Sequence, residues 1–92
     1  MAEEHEGLYK VVARVISQKG TCGVGHKVSD KWVIGLTTPE GICQAAYSTL
    51  FPAARALMLG GSHYWEPDPD AIMIACPDAD NPVVFEVRRV KE

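Results

Sequence analysis

Three cysteines and one histidine are the residues of this 92-residue chain best suited to chemistry. Cys22 and His26 lie in "GTCGVGHKVSD", Cys43 in "TTPEGICQ" and Cys76 in "AIMIACPD". Thiolate and imidazole are soft or borderline ligands. Together Cys22, His26, Cys43 and Cys76 make a Cys₃His set, the kind that holds zinc in a tetrahedron and that also suits iron. No two cysteines form the close C-x₂-C pair of a zinc knuckle, so folding would have to assemble such a centre.

The same residues offer a second chemistry. A thiol near a helix start is favoured as thiolate by the positive end of the dipole. Cys43 is thus a candidate catalytic nucleophile with His26 as its base, and Cys22 or Cys76 as a resolving or supporting thiol. A plainer reading stands beside both. Free cysteines pack as small hydrophobes, and a loop histidine bonds a nearby carbonyl. The chain is then an assembly module whose helix face pairs with another copy as a homo-oligomer, or joins a larger complex.

A separate ligand-binding candidate is the pair His63 and Trp65 in the acidic loop "SHYWEPDPD". Trp65 either closes the core as a lid or faces a ligand. The carboxylates of Glu66, Asp68, Asp70, Asp78 and Asp80 lack the spacing of a calcium loop and read as solvated. Arg88, Arg89 and Lys91, flanked by Glu86 and Glu92, read as a solvated strand end.

Hydrophobic periodicity shows which elements must position these groups. "LYKVVARVIS" predicts a half-buried strand with Tyr9, Val11, Ala13 and Val15 on one face. The glycine-rich stretch after it is a turn, and Trp32 and Ile34 belong to a short second strand. Thr38 is a plausible N-cap with Pro39 at the first helical position, which predicts a helix opening at "TTPEG". Pro52 is expected to break it near Phe51 and start a second segment that stops at Gly60-Gly61. "AIMIAC" is an unbroken apolar run, expected of a central strand covered on both faces. The last strand alternates with Val83, Phe85 and Val87 inward and pairs antiparallel with the strand before it.

The fold expected is therefore α+β: a small, largely antiparallel four-stranded sheet with a proline-broken helix pair on one face, in the order β-β-α-α-β-β. Residues 1–7, with His5, read as a flexible tail and 8–92 as one domain, since a chain this short has room for one core. A metal, ligand or second subunit would add useful stability. The net charge of −3 and scattered basic residues argue against a nucleic-acid partner. There is no apolar run long enough to cross a membrane. The acidic "MAEEHEG" start is unlike a signal peptide, which predicts a cytoplasmic protein with reduced thiols.

The order of "GHKVSDKW", "TPEGICQAAYSTLFPAARALMLGG", "HYWEPDPD" and "ACPDADNPVVFEVRR" resembles an uncharacterised family of small bacterial and archaeal proteins, sometimes present as tandem repeats. The resemblance covers nearly the whole chain after the tail. It implies that Cys22, His26, Cys43 and Cys76 belong to the family pattern, and it carries no reaction with it. Ser29 departs from that pattern by standing where a glycine is usual before Asp30.

Overall fold

The computed structural model describes residues 8–90. The tail expected over residues 1–7, with His5, lies outside them, as do Lys91 and Glu92. Four strands and one helix follow in the order β1 (Lys10–Gln18), β2 (Lys31–Ile34), α1 (Gln44–Met58), β3 (Ala71–Ala75) and β4 (Val83–Val90). All pairings are antiparallel and the sheet order is β2-β1-β4-β3.

Alternation does what the pattern requires. Val11, Ala13 and Val15 of β1 and Val83, Phe85 and Val87 of β4 face α1 and are buried. The register places Val11 opposite Arg89, Ala13 opposite Val87 and Val15 opposite Phe85. A bulge between Val15 and Ser17 leaves Ile16 without a partner in that register. Tyr9, expected on the inner face, is instead 43% exposed. Its ring lies 5.1 Å from the guanidinium of Arg89.

α1 brings Ala46, Leu50, Ala53, Ala54, Leu57 and Met58 onto the sheet, a stripe at helical spacing. Alanine at three of these six positions lets the helix axis approach the strands closely. Apolar burial at roughly 25 cal/mol per Å² is the main force holding the two layers together.

Four expectations are corrected. First, α1 is one helix, not a pair: Pro52 lies inside it on the exposed side. A proline removes one backbone bond and crowds the preceding turn, at about 3 kcal/mol. Leu50 before it and Ala53, Ala54 and Leu57 after it remain in phase on the core, so burial on both sides outweighs the local loss. Second, the helix starts at Gln44, not at Thr38. Gly41 has φ +87° and Cys43 is extended at φ −59°, ψ 132°, which keeps Pro39 and Glu40 in a turn. Third, β3 is an edge strand. Its free edge is partly closed by Glu66, whose Oε2 accepts the Met73 N–H at 3.0 Å. Fourth, Arg89 is 6% exposed rather than part of a solvated strand end.

The helix stop at Gly60-Gly61 is as expected. Gly60 adopts φ +94°, and the Gly61 N–H donates to the Ala56 carbonyl at 2.8 Å. No helix among the described residues is long and apolar enough to cross a membrane.

The uncovered sheet face carries a ladder of charges. Arg14 bonds Glu86 at 3.3 Å, and Arg88 bonds Glu86 at 2.9 Å and Asp68 at 3.0 Å. The hydrogen bond from Arg88 holds the Glu86 carboxyl below its ordinary range. Burial opposes this, and Arg14 adds to it.

Candidate thiol site

Antiparallel pairing puts the end of β1, the start of β2, the end of β3 and the start of β4 at one end of the sheet. The start of α1 joins them there through His26. Cys22, Cys43 and Cys76 are all free thiols of intermediate burial, packed against the core cluster. Folding therefore brings the segments bearing all four sequence-predicted residues to a common end.

Two loops are laced together beneath Cys22. The Lys19 N–H donates to the Pro82 carbonyl at 3.0 Å, and the Thr21 N–H to Asn81 Oδ1 at 3.0 Å. Gly20, at φ +67°, lies so close to Asn81 that a Cβ would collide with its side-chain oxygen. The loop then curls, with the Gly25 N–H donating to the Cys22 carbonyl at 3.0 Å and Gly25 itself at φ +88°.

This curl sets the electrostatics of the Cys22 thiol. Burial pushes the Cys22 thiol up. The backbone N–H groups of His26, Val24 and Gly25 outweigh that, and the thiol lies below its ordinary range despite the opposing charge of Asp78. Gly25 permits the curl through its φ of +88°, not through lack of room, since nothing lies within 4 Å of a Cβ built at position 23 or 25.

His26 has a different task from the one its sequence suggests. Its ring is 7% exposed and meets Trp32 edge-on at 4.8 Å and Phe85 at 6.5 Å. Its Nε2 accepts the backbone N–H of Cys43 at 2.9 Å. A backbone N–H can only donate, so the accepting nitrogen carries no proton and the imidazole is the Nδ1–H tautomer. His26 thus satisfies an orphan donor at the start of α1, where Cys43 as N-cap makes no side-chain cap bond. The contact between His26 and Cys43 runs through the backbone, not through the thiol.

Cys76 is tied into the turn before β4. Its sulfur accepts the Val83 N–H at 3.3 Å, and its own N–H donates to the Val83 carbonyl at 2.9 Å. Among the described residues no group of three or more His, Cys, Asp or Glu side chains is arranged to hold a metal ion. Cys22, His26, Cys43 and Cys76 share an end of the sheet without closing into a Cys₃His centre for zinc or iron.

His63 and Trp65 lie elsewhere. Their loop joins the end of α1 to the start of β3, at the opposite end of the sheet from the thiols. The His63 and Trp65 rings are 5.3 Å apart, and Trp65 is 60% exposed rather than closing the core.

Sequence reasoning missed two residues: Cys22 as the perturbed thiol, and Arg89 as a buried cation. The glycines at 23 and 25 around Cys22 were the available signal for the first. For the second it was the alternation Val83, Phe85, Val87, which puts position 89 on the inner face.

The fold and site define a small α+β domain carrying a backbone-stabilised thiol at one end of its sheet. The chain matches no family model, no curated protein and no solved structure.

Proposed function

We propose that this chain is a small ligand-binding domain whose binding group is the Cys22 thiolate. The reading rests on the partly exposed Cys22 thiol in the turn that the Gly25 N–H closes onto the Cys22 carbonyl at 3.0 Å, where backbone N–H groups of His26, Val24 and Gly25 lower its pKa. These donors favour the negative form, and the thiolate is what coordinates soft metal ions and attacks electrophiles. A single accessible thiolate suits one-point capture of a soft partner, such as a metal ion that arrives with its other ligands from a second molecule.

The enzyme reading built on Cys43 and His26 has less support. The histidine nitrogen that a base would use is occupied by a backbone N–H. A thiol-dependent enzyme on this scaffold would use Cys22 as its nucleophile.

Alkylation by iodoacetamide at pH 7, followed by peptide mass mapping, tests the proposal. The expected result is modification of Cys22 well ahead of Cys43 and Cys76, and faster than free cysteine. Elemental analysis of protein purified without added metal, beside Cys22→Ser, separates metal capture from electrophile capture. A Cys22 that reacts no faster than free cysteine would overturn the reading.

A further inference from the structure

We propose that the open groove between α1 and the segment following β2 binds a small organic carboxylate with a flat apolar body. The groove has a volume of about 430 Å³, within the usual range for small-molecule sites. It lies along a face of α1 distinct from the core stripe: Gln44, Tyr47, Ser48, Phe51 and Arg55 recur at three- and four-residue steps.

The middle of this face is aromatic. Tyr47 and Phe51 are stacked, with ring centroids 5.8 Å apart and planes inclined by 25°. Phe51 is 49% exposed, and Leu36 on the facing wall is 47% exposed. The Tyr47–Phe51 pair on the helix and Leu36 on the segment after β2 offer a flat ring an apolar surface on two sides.

Arg55 sets the charge of the occupant. It lines the groove and makes no ion pair among the described residues, where Arg14, Arg88 and Arg89 each hold a carboxylate. The described lining includes no carboxylate of its own. A guanidinium with a free planar fork on an apolar wall matches a carboxylate in shape as well as charge. Thr38, Gln44 and Ser48 also line the groove and can receive a polar substituent on the ring. The α1 face from Gln44 to Arg55 spans roughly 16 Å, so the ligand is a one- or two-ring acid, not a long chain.

This site is independent of the Cys22 proposal, because its lining includes none of the cysteines. Naphthalene-2-carboxylate is the probe, titrated into the full-length protein and followed by amide chemical shifts. Saturable shifts centred on Leu36, Tyr47, Phe51 and Arg55 are expected. The uncharged carboxamide and the Arg55→Gln variant should each weaken binding about tenfold or more. Phe51→Ser should weaken it while leaving the circular dichroism spectrum unchanged, since Phe51 is outside the core. Carboxylate binding that is equal in Arg55→Gln would overturn the proposal, as would no saturable binding at millimolar probe. It would also fall if the groove proves to be covered by a second copy, seen as a dimer by sedimentation that Phe51→Ser dissociates.

Discussion

The imidazole of His26 reaches across 17 residues of sequence to accept the Cys43 backbone N–H at 2.9 Å, so a loop side chain caps the only helix among the described residues. Helices normally recruit this acceptor from their own N-cap side chain. Here the cap comes from a ring that also packs against Trp32 and Phe85. Replacing His26 by alanine removes both the acceptor and a buried ring. The expected loss is about 2–4 kcal/mol in chemical denaturation. Cys43→Ala keeps the backbone donor and should cost about 1 kcal/mol or less. Equal losses in the two variants would show that the cap contributes nothing measurable.

The Cys22 thiol titrates below its ordinary position, with a definite sign for pH. The rate of Cys22 alkylation should rise through a midpoint below that of a free cysteine thiol. Gly25→Ala, whose Cβ disfavours the φ of +88° that shapes the curl, should move the midpoint back up toward the ordinary thiol value near 9.0. Linkage runs the same way. A folded-state value below the unfolded one adds stability at pH above the unfolded value, and that stability is lost as pH falls through the folded value. Wild type should therefore gain stability relative to Cys22→Ser on going from neutral pH to pH 9. A gap that stays constant would contradict the assignment.

Arg89 anchors the opposite end of the sheet. All five of its N–H groups are used. Nε and Nη2 bond Asp70 Oδ1 at 3.0 and 2.9 Å, Nη1 bonds the carbonyls of Leu57 and Gly61 at 2.9 and 2.8 Å, and Nη2 also bonds the Pro69 carbonyl at 3.0 Å. It ties the end of α1 and the loop before β3 to β4. Arg89→Met strands those acceptors and leaves Asp70 without this cation, so a loss of about 3–5 kcal/mol is expected. Arg89→Lys keeps the charge but has only three donors, and should recover no more than half. Thermal unfolding of both variants gives the comparison, and faster amide exchange in residues 61–70 gives its location.

Much of this architecture was legible because strand alternation reports burial directly. Val11, Ala13, Val15, Val83, Phe85 and Val87 all face the core as their period-two spacing requires. Gly60 ends α1 because its φ of +94° suits no other residue as well. What failed were the local rules that tertiary packing overrides. Pro52 reads as a break, yet the stripe through Leu50, Ala53 and Leu57 keeps the helix whole. Thr38 and Pro39 read as a helix start, yet the turn at Gly41 delays it to Gln44. The apolar run from Ala71 to Cys76 reads as a central strand, although the strand it forms pairs on one side only. At the candidate site, residue types pointed to the loop, helix start and strand end that bear the thiols. They did not show which thiol the backbone donors would select, because a nest of N–H groups is made by φ and ψ, not by side chains.

Ser29 combines both lessons. Its φ is +85°, in the left-handed region that a Cβ disfavours by about 1–2 kcal/mol. The turn around it is firmly held. Ser29 donates its N–H to the Val15 carbonyl at 3.0 Å, and Asp30 returns its carbonyl to the Val15 N–H at 2.8 Å. Asp30 Oδ2 also accepts the Lys27 N–H at 3.1 Å. With the backbone pinned on both sides, the serine cannot relax out of its strained conformation. Ser29→Gly relieves that strain but adds freedom to the unfolded chain, which offsets part of the gain. A net stabilisation of about 0.5–1 kcal/mol is expected, or roughly 2–8 °C in Tm for a domain of this size. Ser29→Ala retains the Cβ and should give no gain. If alanine stabilises as much as glycine, the serine hydroxyl rather than the backbone angle is the source of the cost.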